Sequence, residues 1–307
     1  MHAEETKTDA ALVRRLLAAQ FPAWARLPVE PAASHGTVNT IYRLGADMAV
    51  RLPRGEAGSN DVAAEHRWLP RLASQLPFAV PVPLAEGAPG EGYPWSWSVH
   101  SWLEGENPAA GSGRAELAAD LAEFVLALRR VDTAGGPPAY RCEPLAARDT
   151  AARAALDALH GVIDTGTAAT AWSEALNAPE PHGPAVWVHG DLQPGNVLVA
   201  DGRLSAVIDF GCMGLADPAV DLIPGWYLLS AGAREVFRTA VGADPATWAR
   251  ARGWALSVAL MELSHYQTSN PVMAGTAHHV ITEILAEAET EAEAEAGAEA
   301  GPGGGAG

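Results

Sequence analysis

Lysine is almost absent from this chain of 307 residues, since Lys7 is the only lysine among 20 lysine and arginine residues. Cysteine is also scarce: Cys142 and Cys212 stand in unrelated contexts. Two isolated cysteines suggest neither a disulfide framework nor a zinc site. No run reaches the roughly eighteen apolar residues that a membrane-spanning helix needs, so we expect no membrane partner.

Positive charge is in deficit as well, because the formal net charge is −17. The stretch from residue 283 onward holds seven glutamates and no base, which leaves −10 for residues 1–282. Residues 1–282, with their net negative charge, are poorly suited to neutralise the phosphates of a nucleic acid, so we expect no nucleic-acid partner. The same charge is compatible with a small cationic substrate. The polar, acidic N-terminus is not typical of a secretory signal, and the expected location is cytoplasmic.

The patterning predicts an α+β protein of two lobes. Residues 1–101 alternate like strands, with a hairpin turn at Gly45–Asp47 and one main helix over residues 59–76. That helix is expected to be capped by Asn60 or Asp61 and to restart at Pro70. After residue 101 the pattern is mainly helical, with predicted helices at 113–132, 147–163, 219–240, 246–268 and 276–296. We therefore expect a nucleotide-binding lobe at 1–101, a catalytic and substrate-binding lobe at 102–285 and a low-complexity tail at 286–307.

The segment VWVHGDLQPGNVLVADGRLSAVIDFG, residues 186–211, places three polar side chains among apolar runs. Its Asp201–Gly202 turn predicts a hairpin in which Asn196 starts one strand and Asp209 ends its partner. Both side chains would then reach one point beyond the same end of the ribbon, where carboxylate and amide oxygens suit Mg²⁺ and substrate phosphates. Asp191 lies on the preceding loop and could accept a proton from an attacking hydroxyl. Each of these residues alone could be a cap or a turn residue, but their order and spacing favour a shared site.

This layout is that of kinase-like phosphoryl transfer, in which catalysis is mainly positioning and charge neutralisation. The sequence resembles the aminoglycoside phosphotransferase family of antibiotic kinases: HGDLQPGN is similar to their catalytic loop and IDFG to their metal-binding segment. The resemblance implies a bilobal protein-kinase-like fold with a small antiparallel sheet and a larger helical lobe. It also implies Asp191 as the catalytic aspartate, Asn196 and Asp209 as magnesium ligands, and ATP or GTP as the phosphoryl donor.

A kinase-like small lobe needs a strand cation for the phosphates and a helical carboxylate that positions this cation. Because Lys7 cannot fill that role, Arg51 in MAVRLP is the candidate cation, with Glu65 on the following helix as its partner. A guanidinium group binds phosphate in a bidentate geometry, which differs from the geometry of a lysine ammonium group. The phosphate-covering loop would contain Gly36, and the adenine would lie against the connector near His100 and Trp102.

The acceptor is expected to be a small molecule, because only residues 212–216 separate IDFG from DPAVDL. Protein kinases place a regulated activation loop there. We expect Asp221 to bond the backbone of the catalytic loop, whereas Asp217 stays an open candidate. Four further acids are candidates for contacting a cationic substrate: Asp157, Asp164, Glu174 and Glu262. The resemblance favours an aminoglycoside-like antibiotic; a macrolide, amino alcohol, sugar or glycated amine and, as a non-enzyme alternative, a silent nucleotide-binding protein stay open.

Overall fold

The computed structural model describes residues 8–32 and 38–299. Its strands are Val29–Pro31 (β1), Asn39–Leu44 (β2), Met48–Pro53 (β3), Pro83–Gly87 (β4), Trp97–Ser101 (β5), Val186–Val188 (β6), Val197–Ala200 (β7), Arg203–Val207 (β8) and Gly214–Ala216 (β9). Its α-helices are Ala10–Gln20 (α1), Glu56–Ala73 (α2), Ala115–Arg129 (α3), Asp149–Ala158 (α4), Thr165–Asn177 (α5), Pro224–Tyr227 (α6), Ala231–Ala240 (α7), Pro245–Tyr266 (α8) and Pro271–Glu299 (α9). None of these helices is long and apolar enough to cross a membrane.

The first five strands form one antiparallel sheet in the order β1-β2-β3-β5-β4. Successive side chains of a strand point to opposite faces, and Val50 and Leu52 of β3 are both fully buried on the face that α1 covers. Arg51 therefore points to the other face of the sheet, toward α2 and the larger lobe. A small antiparallel sheet followed by a mainly helical lobe confirms the predicted α+β kinase-like fold.

Helix α2 differs from its prediction in two ways. It begins one turn earlier than expected, with Gly55 as N-cap, and it runs through Pro70 without a break. Proline removes one helical hydrogen bond, but Leu69 and Leu72 on either side of it are completely buried. Their packing against the core of the larger lobe holds the helix continuous.

The helical lobe also departs from the predicted boundaries. Helix α5 was not among the predicted helices, and the helix expected over 219–240 is a 3₁₀ turn, Pro218–Leu222, followed by α6 and α7. Helix α9 begins at Pro271 and ends at Glu299, so it is longer at both ends than the helix predicted over 276–296. Strand β5 ends at Ser101, which coincides with the proposed end of the first lobe.

Candidate active site

The predicted catalytic loop, residues 189–196, follows directly from β6 and is held by a buried carboxylate. The backbone N–H groups of His189 and Gly190 donate to Asp221 at 2.6 and 2.8 Å. Asp221 is almost completely buried, and this burial raises the pKa of its carboxyl group. The two bonds are those expected for a structural aspartate in this position. A buried carboxylate needs such donors, so Asp221 and the loop backbone stabilise each other.

His189 has a structural place in the same loop. Its Nε2 lies 3.0 Å from the carbonyl oxygen of Ile208, and its Nδ1 accepts from the N–H of Asp191 at 3.2 Å. This pattern assigns the proton to Nε2. The histidine thus ties the catalytic loop to the end of β8.

Gly190 allows a close approach that no other residue would permit. Its φ of 85° lies in the left-handed region, and a Cβ atom there would come within 2.6 Å of the carbonyl oxygen of Cys212. The catalytic loop therefore packs directly on the segment that follows Asp209.

The carboxylate of Asp191 accepts two hydrogen bonds and forms one ion pair. Arg141 pairs with Oδ1 at 3.0 Å, Gln193 donates to Oδ1 at 3.1 Å, and the Nδ2 of Asn196 donates to Oδ2 at 2.9 Å. Asn196 also donates to the backbone carbonyl of Asp191 at 2.8 Å. Each carboxylate oxygen has about two acceptor positions, so one position on Oδ2 remains for a further donor.

The hairpin of β7 and β8 brings Asn196 and Asp209 to the same end, as the turn signal predicts. Val197 pairs with Val207, and the N–H of Ile208 donates to the carbonyl of Asn196 at 2.9 Å. Asp209 has a left-handed backbone with φ 62°. Aspartate tolerates this conformation better than most residues, and it turns the side chain out of the strand direction.

Arg51 connects the two lobes at this point. One guanidinium nitrogen donates to both carboxylate oxygens of Glu65 at 2.7 Å, and the other donates to Asp209 at 2.7 Å. Burial opposes the charge of Arg51, but the carboxylates of Glu65 and Asp209 raise its pKa above the ordinary value. The guanidinium therefore stays charged, and it links residues 158 positions apart in the sequence.

The two residues predicted to lie near the adenine differ in exposure: His100 is buried and Trp102 is partly exposed. Gly36 of the predicted phosphate-covering loop lies outside the described residues. The ring of His100 is almost completely buried, 3.9 Å from Glu65, and burial lowers its pKa to about 2. The backbone N–H of Trp102 donates to the backbone carbonyl of Asp47 at 2.7 Å. The roles of His100 and Trp102 in nucleotide binding remain predictions.

Among the acids named for a cationic substrate, Glu262 lies next to Asp191. Gln193 bridges the two, donating to Glu262 at 2.8 Å, and the hydroxyl of Tyr227 donates to the other Glu262 oxygen at 3.0 Å. The other named acids have partners elsewhere or project outward: Asp164 caps α5, Glu174 pairs with Arg252, Asp217 pairs with Arg250, and Asp157 is exposed. Glu262 is thus the acid that the fold brings to the site.

Sequence reasoning missed Arg141, Gln193 and Asp61. Asp61 lies on α2 one turn before Glu65, and burial together with the charge of Asp209 raises the pKa of its carboxyl. Its helical spacing from Glu65 could have placed it on the same face. Arg141 comes from the loop after α3 and has no comparable signal, because only the tertiary fold brings it to Asp191.

Glu262 predicts a pH dependence of stability. The pKa of its carboxyl group is raised from 4.5 to about 7. Burial is the main cause and the charge of Asp191 adds to it, whereas Gln193, Tyr227 and Arg141 oppose the rise. A carboxyl group whose pKa is higher in the folded state than in the unfolded state lowers the stability of the protein as pH rises between these two pKa values. We expect the melting temperature of the wild type to fall relative to that of Glu262→Gln between pH 4.5 and 7, and the difference to level off above that range. A constant difference from pH 4 to 8 would contradict this.

A model of the phosphotransferase enzyme family matches residues 30–254, and the chain belongs to this family. The match runs from β1 to α8 and confirms the prediction of an enzyme that transfers phosphoryl groups. The resemblance seen in the catalytic loop thus extends over most of the chain. A comparison with curated protein sequences finds no match.

Solved structures with similar folds come from antibiotic kinases. The GDP complex of a mutant aminoglycoside 2'-phosphotransferase-IIIa is 18% identical, with a TM-score of 0.71, covering 91% of this chain and 98% of that one. The GDP and kanamycin complex of APH(2")-IIIa is also 18% identical, with a TM-score of 0.68, covering 90% and 98%. Macrolide 2'-phosphotransferase MphH from Brachybacterium faecium is 22% identical, with a TM-score of 0.57, covering 87% and 98%. At these identities the likeness shows the kinase-like fold.

Proposed function

We propose that this enzyme transfers the γ-phosphoryl group of ATP or GTP to a hydroxyl group of an aminoglycoside-like antibiotic, with Mg²⁺ as cofactor. The observation that carries the proposal is the double contact of Arg51, which bonds Glu65 of α2 and Asp209 of the larger lobe at 2.7 Å each. A guanidinium that is held by carboxylates of both lobes is suited to bind the phosphates of a nucleotide. The GDP and ADP complexes of structural neighbours support a nucleotide donor.

The donor atoms at Asn196 and Asp209 fit Mg²⁺. An amide oxygen and a carboxylate are hard oxygen ligands, and magnesium sites in such enzymes use one or two protein groups together with phosphates and water. No cluster of three His, Cys, Asp or Glu residues that could hold a metal occurs among the residues the structure describes. When bound, Mg²⁺ would neutralise the phosphate charge, while the Nδ2 of Asn196 keeps its bond to Asp191 and leaves the amide oxygen for the metal.

Asp191 is the proposed catalytic residue. Arg141 and Gln193 occupy its Oδ1, and within the described part of the chain Asn196 is the one donor to Oδ2. The hydroxyl of the acceptor would therefore donate to the remaining position on Oδ2. From there Asp191 orients the hydroxyl and takes its proton as the phosphoryl group is transferred.

The ligands of structural neighbours and one acid beside Asp191 support the proposed acceptor class. Complexes with kanamycin and gentamicin are known for structural neighbours, and other neighbours are macrolide 2'-phosphotransferases. The carboxylate of Glu262 beside Asp191 suits an amine on the acceptor. A macrolide, amino alcohol, sugar or glycated amine is the alternative acceptor.

A direct test is a phosphoryl-transfer assay with γ-labelled ATP and GTP. We expect labelled product with Mg²⁺ and at least one hydroxylated acceptor from a panel of kanamycin, erythromycin, choline and fructosamine. Excess EDTA should abolish the product, and restored Mg²⁺ should recover it. Absence of labelled product with every donor and acceptor pair, or full activity in EDTA, would contradict the proposal.

A further inference from the structure

One exposed aromatic residue stands beside the catalytic aspartate without a role so far. The side chain of Tyr140 is 72% exposed, the largest exposure of any large hydrophobic side chain among the described residues. Its ring centroid lies 5.6 Å from the guanidinium carbon of Arg141, whose NH1 lies 3.0 Å from Asp191. The exposed ring therefore lies beside the residue that pairs with Asp191.

The loop that carries Tyr140 is held in place by backbone hydrogen bonds. Ala139 donates to the carbonyl of Leu215 at 3.1 Å, Leu215 donates to that of Pro137 at 2.8 Å, and Tyr140 donates to that of Cys212 at 3.2 Å. The loop thus runs beside β9 and the segment after Asp209. An aromatic ring held on a fixed backbone loses little conformational freedom when a ligand packs against it.

Arg141 has a different environment from its neighbour. Its side chain is nearly buried, and it contacts both the Asp191 carboxylate and the carbonyl oxygen of Gly190. Burial disfavours its charge, but the charge of Asp191 raises its pKa above the ordinary value, so it stays a cation. A buried cation with two partners in the catalytic loop fixes the rotamer of Asp191.

From these contacts we infer that Tyr140 and Arg141 form the acceptor-binding element of the enzyme. Tyr140 packs against an apolar ring face of the acceptor, and Arg141 is a positioning residue that holds Asp191. This inference rests on the proposed function and adds two residues to the site.

The carboxyl groups beside this element favour an amine on the acceptor. Arg141 pairs with Asp191 at 3.0 Å, and Gln193 links Asp191 to Glu262. Glu262 is the carboxyl group of this cluster that could accept from an amine. The element therefore suits a ring compound with an apolar face and an amine near the reacting hydroxyl.

The first test is acceptor binding without turnover. Calorimetry would measure binding of erythromycin and of kanamycin to the enzyme saturated with Mg²⁺ and ADP. We expect at least one of the two compounds to bind, Tyr140→Ala to weaken that binding about tenfold, and Tyr140→Phe to bind like the wild type, since the aromatic face is kept. Val236→Ala, an exposed apolar residue of α7, is the matched control and should change nothing. Unchanged binding in Tyr140→Ala, or binding of neither compound, would overturn the inference.

The second test separates positioning from folding. With the acceptor that the enzyme turns over, we expect Arg141→Gln to lower kcat about 10²-fold at nearly constant KM for the nucleotide, and Arg141→Lys to recover part of kcat. A merely structural role would lower the melting temperature of both variants and leave kcat per folded enzyme unchanged. Phosphoryl transfer without any Tyr140 effect would contradict the inference alone, whereas Tyr140-dependent binding without phosphoryl transfer would contradict the proposed function alone.

Discussion

Asp191→Ala is expected to lower turnover by at least ~10²-fold while nucleotide binding stays nearly unchanged. The substitution removes the free acceptor position on Oδ2 and leaves Arg141 and Asn196 without their shared carboxylate. It does not touch the contacts of Arg51 with Glu65 and Asp209, on which nucleotide binding is proposed to depend. Steady-state kinetics with the acceptor and titration with a fluorescent nucleotide would measure the two effects separately.

The matched control for this variant is Glu180→Ala, an exposed acid between α5 and β6. It removes the same charge from the same lobe and should keep full turnover. Full activity of Asp191→Ala, or an equal loss in both variants, would show that Asp191 does not have the catalytic role.

Arg51→Met is expected to lose both stability and turnover. Glu65 is almost completely buried, and among the described residues Arg51 is the cation paired with it, while the His100 ring 3.9 Å away is neutral. Breaking a buried ion pair by removing one partner costs about 3–5 kcal/mol. Chemical denaturation would measure the loss of stability, and the phosphoryl-transfer assay would measure the loss of turnover.

A second substitution separates these two effects. In Arg51→Met with Glu65→Gln the uncompensated charge is gone, so most of the stability should return, but turnover should stay low because the phosphate-binding cation is missing. Arg51→Lys keeps a cation and should retain more turnover than either. A stable and fully active double variant would show that Arg51 serves the fold alone.

The parts of the site that the sequence could predict depend on local geometry. Asn196 and Asp209 are linked by one hairpin with a strong turn signal, so their meeting follows from thirteen residues of chain. Arg51 could be found because the chain has a single lysine, Lys7, far from any strand that could serve as the phosphate-binding strand. Its alternation with Val50 and Leu52 then fixed the face on which it lies.

The parts that could not be predicted come together through long-range packing. Arg141 and Glu262 come to Asp191 from a loop and from α8, and Gln193 of the catalytic segment links Glu262 to Asp191. No local pattern relates Arg141 or Glu262 to Asp191, so only the tertiary structure separates Glu262 from the other acids of the helical lobe. Helix α5 was missed for a related reason, because its small residues give a weak apolar pattern while Trp172 is completely buried.

The glutamate-rich stretch that begins at Glu283 contains one residue, Glu287, that accepts hydrogen bonds from three other helices. Glu287 accepts from the indole N–H groups of Trp226 and Trp248 and from the guanidinium of Arg234. A filter that masks repetitive composition would discard this residue along with the repeats around it. Shortened versions of the protein made for crystallisation should therefore be cut after Glu287, since an earlier end would strip three buried donors of their common acceptor.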